Sequence, residues 1–469
     1  MLKPHKLLEY INAQWDEEIL PTLVEYIKIP NKSPLFDPDW QKNGYMEKAV
    51  ALIVNWCKSH SPKKMNLEIL RLKNRTPVIL IDIPGEANKE VLLYGHLDKQ
   101  PEMAGWRNDL GPWKPVLENG RLYGRGGADD GYAVFSAITA INALQQQGVP
   151  HGHCKILIEA SEESGSSDLP FYIEAFKEKL GTPHLIVCLD SGAGNYEQLW
   201  VTTSLRGDVA GELKVELLTE GVHSGYGSGI VADSFRVARE LLSRLEEEST
   251  GHVKLQELHC QIPPDRVSEA AECAAVLGKG IIDSLPLHPG VQSIETNEQE
   301  LLLNRTWRPA LTVTGARGLP PISNAGNVLR PETALKFSMR LPPIVDAKEA
   351  AKVISTVLTE NPPYNAKVSV TIFSASTGWD APHTAPWLRE GIHGASESFY
   401  QKPAVFMGEG GTIPFMAMLG KEFPEAQYMI TGVLGPHSNA HGPNEFLHLD
   451  MAKKITACVA FVIHKQAES

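Results

Sequence analysis

Hydrophobic and polar positions alternate in blocks over residues 1–205, where short apolar runs are separated by segments with apolar residues at helical spacing. Such blocks are typical of α/β domains with a buried sheet, whose strands are apolar along their whole length. The clearest predicted strands are EVLLYGHLD (residues 90–98), CKILIEASEE (154–163) and HLIVCLDSG (184–192). The pattern therefore predicts an α/β fold with a largely parallel, buried sheet.

Each of these predicted strands ends in a histidine or an acid. His96 and Asp98 end the first, Glu162 and Glu163 end the second, and Asp190 ends the third. In open α/β sheets the ligand crevice lies outside the carboxyl ends of the strands. We therefore expect these side chains to converge on one place.

A Gly-rich turn with Asp129 and Asp130 precedes an apolar-periodic segment that ends at Gly148, which places both acids at a predicted helix N-terminus. Plain structural explanations exist for each signal taken alone. An aspartate here can be a helix N-cap, a histidine at a strand end an ordinary hydrogen-bonded residue, and two adjacent glutamates a solvated turn. The signals point to chemistry only when they are taken together.

The pattern changes after residue 207, because apolar and charged residues alternate over 213–217 as in a half-buried antiparallel strand. The sequence then predicts a helix at 231–245, strands at 311–314 and 334–341, a helix at 347–358 and a strand at 367–373. This βαββαβ order is that of a ferredoxin-like unit. Residues 250–309 fit no element of the unit and are predicted to be an extra insertion.

The α/β pattern returns near residue 385, with a predicted helix at 387–399 and the apolar run YMITGV. We therefore predict three segments. Residues 1–205 and 385–469 form an outer domain, and residues 206–384 form a second domain inserted into it.

Charge and composition exclude several classes of protein. A formal net charge of −12 argues against nucleic-acid and anionic-membrane partners, because both bind through basic patches. No apolar stretch approaches the roughly 20 residues needed to cross a bilayer, and the N-terminal segment has the spacing of a surface helix rather than a signal peptide. The six scattered cysteines include no CxxC pair and predict reduced thiols in the cytoplasm.

The candidate metal ligands are nitrogen and oxygen donors suited to zinc or manganese. They are His96, Asp129, Glu163, Asp190 and His441. Two ions about 3.5–4 Å apart need a bridging carboxylate, and a water held between them ionises near neutral pH. Glu162 is left over as a candidate general base.

Eight ordered motifs resemble a known family. They are YGHLDKQP, LYGRGGADDG, EASEESGS, CLDSG, GVHSGYGSG, FSMRLPP, GEGGTIP and HGPNE. Together they are similar to the dinuclear zinc peptidases of the carnosinase and cytosolic nonspecific dipeptidase type, whose superfamily also contains aminoacylases, glutamate carboxypeptidases and succinyl-diaminopimelate desuccinylase. The resemblance covers nearly the whole chain apart from the insertion and the first forty or so residues.

The resemblance implies two divalent ions per chain, zinc in the first place, with manganese or cobalt as alternatives. It implies that His96 and Asp190 hold one ion, that Glu163 and His441 hold the other, and that Asp129 bridges them. An aspartate at position 190 is typical of the dipeptidases and aminopeptidases of this superfamily, whereas its carboxypeptidases and desuccinylases tend to have glutamate.

The resemblance also implies further roles. Glu162 would be general base and acid, and Asp98 would orient His96. His223 would reach the active site of a partner subunit and stabilise the oxyanion, so the inserted domain would be a lid and dimerisation domain of a homodimer. Arg340 would bind the substrate carboxylate, with a surface charge at a strand end as the alternative. Gly410, Gly411 and Thr412 would line the substrate site.

The chain departs from this family at one place, because the usual Asp-Asp-Lys-Gly is replaced by Asp129-Asp130-Gly131-Tyr132.

The predicted function is hydrolysis of the amide bond of a dipeptide or similar small substrate. The alternatives are an N-acyl amino acid deacylase and, from another class, a catalytically silent homologue that keeps its metals for structure.

Overall fold

The computed structural model describes residues 2–469, with the side chain of Pro414 outside this description. The chain divides into two compact units. The first unit contains Met1–Thr203, Ala381–Met407 and Met418–Ser469, and the second contains Ser204–Asp380 and Gly408–Ala417. The sequence placed the boundaries at 205/206 and 384/385, and it did not separate the short segment Gly408–Ala417 from the first unit.

The strands are, in chain order, β1 (Asn66–Leu70), β2 (Val78–Ile83), β3 (Ala87–His96), β4 (Val116–Glu118), β5 (Arg121–Tyr123), β6 (Gly152–Glu159), β7 (Leu185–Cys188), β8 (Trp200–Leu205), β9 (Gly207–Glu216), β10 (Val222–His223), β11 (Ala310–Arg317), β12 (Val328–Leu329), β13 (Glu332–Leu341), β14 (Lys367–Ser376), β15 (Trp379–Asp380), β16 (Val405–Glu409), β17 (Gln427–Ile430) and β18 (Phe446–His448).

The α-helices are α1 (Pro4–Gln14), α2 (Leu20–Ile27), α3 (Trp40–Asn43), α4 (Tyr45–Ser59), α5 (Ala133–Gln147), α6 (Leu169–Ala175), α7 (Lys177–Leu180), α8 (Ser224–Gly227), α9 (Ser234–Leu242), α10 (Pro264–Leu277), α11 (Gly280–Asp283), α12 (Glu298–Thr306), α13 (Ala347–Thr359), α14 (Pro386–Tyr400), α15 (Pro414–Glu422) and α16 (Leu449–Glu468).

The sheet of the first unit follows the order β1-β2-β6-β3-β7-β17-β8. Its centre is parallel, because β3 pairs in parallel with β6 and β7, and β17 in parallel with β7. Antiparallel pairs flank this centre, with β2 against β6 and β8 against β17. The predicted α/β fold is thus confirmed, and the sheet is mixed rather than largely parallel throughout.

Helix α5 lies against this sheet and is buried on nearly every side, from Ala133 to Leu144. Its C-terminus is closed by Gly148 in the left-handed conformation at φ +63°, which a glycine adopts without a steric penalty. Helix α16 packs against both α5 and α14. The sequence predicted α5 and α14 but not α16.

The second unit contains an antiparallel sheet of order β11-β13-β9-β14, with α9 and α13 packed against it. If the strands of the βαββαβ order, β9, β11, β13 and β14, are numbered 1 to 4 along the chain, their order in the sheet is 2-3-1-4. This is the order expected for a ferredoxin-like unit. The predicted insertion lies between α9 and β11 and contains α10, α11 and α12. Over residues 2–469, the helices are all too short or too polar to cross a bilayer.

Candidate metal centre

The parallel register of the first sheet brings the predicted strand ends together. His96 is the last residue of β3 and pairs with Glu159 at the end of β6, and Tyr94 pairs with Cys188 at the end of β7. Glu162 and Glu163 follow β6 in a short helical turn, and Asp190 follows β7 by two residues. The side chains therefore share one edge of the sheet.

Two groups of ligand atoms meet at this edge, and both contain Asp129. The first group is His96, Asp129 and Asp190, and the second is Asp129, Glu163 and His441. His96 Nε2 lies 3.2 Å from Asp129 Oδ1 and 3.8 Å from Asp190 Oδ2. His441 Nε2 lies 3.1 Å from Asp129 Oδ2 and 3.2 Å from Glu163 Oε2. The two carboxylate oxygens of Asp129 thus face different groups.

These spacings fit two tetrahedral ions. Ligands about 2.0–2.1 Å from a zinc ion are about 3.3 Å apart along an edge of the tetrahedron, close to the observed 3.1–3.2 Å between imidazole nitrogens and carboxylate oxygens. Glu163 Oε1 is buried and has no hydrogen-bond partner in the described chain. The donor set and the shared Asp129 therefore fit a pair of divalent ions.

Electrostatics also favour added positive charge. Burial would lower the pKa of both imidazoles, but adjacent carboxylates outweigh it, raising the pKa of His96 well above its usual value and that of His441 to about 11. Burial raises the pKa of Asp190 to about 7, and burial with the charge of Asp190 raises the pKa of Glu162 well above its usual range. For Asp129, burial is outweighed by hydrogen bonds from His441 and His96, which hold its pKa down. More carboxylates than imidazoles share the site, and divalent cations would relieve their repulsion.

Asp98 connects the end of β3, which carries His96, to the turn that carries Glu162 and Glu163. Its Oδ1 accepts a hydrogen bond from the Glu162 amide (3.1 Å), and its Oδ2 accepts one from the Glu163 amide (3.0 Å). His96 Nδ1 lies 3.1 Å from the Asp98 main-chain oxygen and 3.4 Å from its carboxylate. The sequence predicted only the contact of Asp98 with His96 and missed the hydrogen bonds that Asp98 accepts from the amides of Glu162 and Glu163.

Glu162 lies beside both groups without belonging to either. Its Oε2 is 4.0 Å from His96 Nε2. Gln100, which the sequence prediction also missed, donates from Nε2 to Glu163 Oε2 at 2.6 Å. Gln100 lies two residues beyond Asp98, so strand-like alternation was the signal that could have identified it.

A buried ion pair holds the loop of His441 to the turn of Asp129. Arg125 Nη1 donates to Glu445 Oε2 (2.5 Å), and Arg125 Nη2 donates to the Gly442 main-chain oxygen (2.7 Å). Glu445 Oε1 accepts from the Gly126 amide at 2.9 Å. The two loops that carry ligands of the second group are therefore fastened to each other, a function that the HGPNE motif alone did not reveal.

The absence of a lysine after Asp129-Asp130 has a steric explanation. A Cβ atom at Gly131 would lie 2.3 Å from Tyr26 Cε1 and 2.5 Å from the Gly126 main-chain oxygen. The Tyr26 ring is fully buried and its hydroxyl donates to the Leu97 main-chain oxygen at 2.6 Å. Position 131 therefore has no room for any side chain.

The predicted substrate-binding residues lie in the second unit, where most of them meet. Arg340 Nη1 donates to Thr412 Oγ1 at 3.2 Å, and Thr412 Oγ1 donates to the Arg206 main-chain oxygen at 2.5 Å. Arg206 Nε donates to the Gly410 main-chain oxygen at 3.2 Å. Gly411, between these residues in sequence, is exposed with no atom within 4 Å of its Cβ position. Sequence reasoning missed Arg206.

His223 also belongs to the second unit. It ends β10, is exposed, and accepts a hydrogen bond at Nδ1 from the Gly225 amide at 3.1 Å. Each of the metal-ligand candidates belongs to the first unit. The predicted role of His223 therefore stays a prediction.

Comparison with known proteins identifies the family of the chain. Residues 92–465 match the profile of peptidase family M20/M25/M40. The chain belongs to this family. The match spans most of the chain and confirms the predicted type of enzyme, a metal-dependent peptidase.

Individual relatives of this M20 chain agree with that result. The chain is 29% identical over 378 residues to a cysteinylglycine-S-conjugate dipeptidase of Corynebacterium striatum, covering 77% of this chain and 79% of that protein. Its fold is similar to that of the di-peptidase Dug1p of Saccharomyces cerevisiae, with a TM-score of 0.78, 20% identity, and coverage of 100% and 99% of the two chains. The fold of human carnosine dipeptidase 1 gives a TM-score of 0.76 at 21% identity, with both chains fully covered.

Proposed function

We propose that this M20 peptidase hydrolyses the peptide bond of dipeptides at a centre of two zinc ions. The observation that carries the proposal is the pair of ligand groups that share Asp129, with the carboxylate of Glu162 alongside. The dipeptidase activity named for the Corynebacterium relative supports a dipeptide as substrate.

In this proposal His96 and Asp190 would hold one ion, Glu163 and His441 would hold the other, and Asp129 would contribute to both. Nitrogen and oxygen donors at tetrahedral spacing favour zinc, with manganese or cobalt as alternatives. When bound, the ions supply an ionised water and polarise the scissile carbonyl.

Glu162 moves protons in this proposal. Its carboxylate takes the proton of the attacking water and later gives it to the leaving amine, a task suited to a carboxyl whose pKa is raised by burial. Asp98 holds the backbone of the glutamate turn, so Glu162 keeps its position relative to His96. Gln100 fixes the orientation of Glu163 in the same way.

Arg340 and Thr412 bind the substrate carboxylate, with Gly410 and Gly411 beside them. The guanidinium of Arg340 is partly exposed and lies 3.7 Å from Asp208 Oδ1, so it is not fully neutralised within its own unit. A guanidinium and a hydroxyl next to each other are suited to a carboxylate.

A homodimer in which His223 serves the partner's site is the second part of the proposal. Large apolar side chains are exposed close to His223 in sequence: Tyr226 is 79% exposed and Ile230 81%. Val328, 39% exposed, pairs with His223 across the β10–β12 ladder. A cluster of this kind is typical of a protein interface. In a twofold dimer each chain would place its His223 at the active site of the other chain.

Localisation in the cytoplasm remains part of the proposal. The six cysteines of the described chain are free, and five of them are buried. Free, buried thiols agree with a reducing compartment.

The test is a hydrolysis screen with purified, zinc-loaded protein against dipeptides, N-acetyl amino acids and N-succinyl amino acids. Hydrolysis of dipeptides alone is the expected result. Preference for N-acetyl amino acids would favour the deacylase alternative. No hydrolysis of any class, with two ions bound per chain, would favour the catalytically silent homologue and refute the proposal.

A further inference from the structure

The insertion of the second unit lines a half-open cavity of about 570 Å³. Its walls come from residues 250–310 and from Arg206. Small-molecule sites in proteins are usually concave and about 300–1,000 Å³ in volume. The cavity is therefore large enough for an amino-acid side chain or a larger group.

The walls combine an aliphatic part and a cationic part. The aliphatic wall residues are Ile281, Ile282, Leu285, Leu287, Ile294 and Leu301. The charged wall residues are Arg206, Arg305 and Arg308, against one acid, Glu295. This composition fits a ligand with an apolar body and an anionic group, and it disfavours an ammonium group.

Part of the positive charge lacks a matching carboxylate. Arg308 Nη2 forms an ion pair with Glu300 at 2.7 Å. Arg206 is only 9% exposed, yet its guanidinium donates to main-chain oxygens alone, those of Gly410, Asn304 and Arg308. Burial, with Arg340 and Arg305 nearby, lowers its pKa to about 10. Within residues 2–469, Arg206 forms no ion pair with a carboxylate, so its charge adds to that of the nearby Arg340 and favours a carboxylate bound at the border of the cavity.

Arg206 also connects the cavity to the proposed carboxylate site. Its side chain forms part of the cavity wall, and its main-chain oxygen accepts the hydrogen bond from Thr412, the neighbour of Arg340. A residue whose carboxylate binds at Arg340 and Thr412 would have this cavity next to it.

We propose that the insertion cavity is the pocket for the carboxyl-terminal residue of the substrate and selects large apolar side chains at that position. The inference rests on the proposed peptidase function. The cationic wall rejects the amino-terminal residue, which carries an ammonium group, and leaves the carboxyl-terminal residue as the occupant.

Direct binding tests the pocket without any catalysis. Calorimetry on the full-length, zinc-loaded protein would compare 3-phenylpropanoate, its neutral analogue 3-phenylpropanamide, and acetate. We expect 3-phenylpropanoate to bind at least about tenfold more tightly than either, because it alone has both the apolar body and the anion. Equal affinity for the amide or for acetate would overturn the proposal.

Two exposed positions of one loop give a matched pair of variants. Ile294 is a wall residue and is 81% exposed, whereas Val291 is 55% exposed and is not a wall residue. An aspartate at either position is solvent-accessible, so folding is not expected to suffer. Ile294→Asp should weaken binding of 3-phenylpropanoate at least about fivefold by charge repulsion, and Val291→Asp should leave it within about twofold. Equal effects of the two variants would overturn the assignment of the cavity.

Kinetics then link the pocket to the reaction. We expect kcat/KM for Ala-Phe to exceed that for Ala-Gly at least about tenfold, mainly through KM, and Leu301→Trp to bring the ratio toward one by filling the cavity. Hydrolysis of both dipeptides without this preference would overturn the pocket and leave the proposed function standing. Absence of hydrolysis with the binding results intact would overturn the proposed function and leave the binding site standing.

Discussion

Glu162 and Glu163 are adjacent in sequence but occupy different positions at the metal centre, so the same substitution should affect them differently. Glu163 Oε2 faces His441 Nε2 at 3.2 Å and belongs to the second ligand group. Glu162 lies 4.0 Å from His96 Nε2 and belongs to neither group. Both amides are held by Asp98, so replacing either side chain with glutamine leaves the backbone of the turn in place.

The expected magnitudes follow from these positions. Loss of a positioned general base costs about 10²–10⁴ in rate, or about 2.7–5.4 kcal/mol of barrier. Glu162→Gln should therefore lower kcat by that factor and leave two ions bound. Glu163→Gln replaces one carboxylate oxygen with an NH2 group and removes the negative charge. The side chain then keeps a single, neutral oxygen both to accept the hydrogen bond from Gln100 and to bind a metal ion. Losing even an outer partner of a metal ligand costs about tenfold to a hundredfold in affinity, so the second ion should bind at least that much more weakly.

The assay pairs steady-state hydrolysis of a dipeptide with elemental analysis of the same samples after dialysis against a weak chelator. Glu174→Gln, on the exposed face of α6, is the matched control for the change of charge, and it should keep both activity and metal. If Glu162→Gln lost metal while Glu163→Gln kept it, the two roles would be reversed and the reasoning from distances would be wrong.

Elemental analysis should find two divalent ions per chain, and chelation should abolish hydrolysis; full activity with a single ion would contradict the shared role of Asp129. In the metal-free protein, burial raises the pKa of Asp190 to about 7, and adjacent carboxylates raise the pKa of His441 to about 11. Groups with raised pKa values lose their stabilising protons as the pH rises, so the melting temperature of the metal-free protein should fall between about pH 5 and 9 relative to that of the zinc-loaded protein. A rise in the melting temperature over that window would contradict this expectation. The variants Glu162→Gln and His223→Ala should each be severely impaired, and refolding the two together should restore about a quarter of wild-type activity. The reason is that about half of randomly paired dimers are mixed, and each mixed dimer contains one intact site of two. If activity did not recover although mass spectrometry showed subunit exchange, His223 would not act in the partner's site.

The strand ends could be predicted because their information is local. An apolar run that stops at His96, Glu162 or Asp190 shows both the strand and its end, and the parallel register then brings those ends to one edge of the sheet. The ferredoxin-like order was readable for the same reason, since the alternation that begins at Leu213 lies within a single strand, β9, up to its end at Glu216.

The missed features depend on contacts between residues distant in sequence. Arg125 and Glu445 are 320 residues apart and become partners only when the HGPNE loop returns to the Gly-rich turn. The residues next to Arg206 in sequence do not identify it as a buried cation, because its hydrogen-bond partners come from the insertion and from Gly410. The antiparallel flanks of the sheet were missed because an apolar strand carries no sign of its direction.

The replacement of Asp-Asp-Lys-Gly by Asp129-Asp130-Gly131-Tyr132 becomes intelligible once the neighbours of the turn are considered together. Tyr26 occupies the space beside Gly131, and the fully buried Lys99 lies beneath the same turn, with its ammonium 3.9 Å from the Tyr26 ring centre. Lys99 Nζ donates to the main-chain oxygens of Tyr26 and Ile29, both at 2.8 Å. Its aliphatic stem fills the position of a Cβ at Gly126, which has φ +80° and is suited to glycine for that reason as well. The turn that carries Asp129 is therefore built around a lysine that lies just beyond the end of β3 rather than in the turn itself. A lysine at position 131 would require both a smaller residue than Tyr26 and a displaced Gly126 main chain.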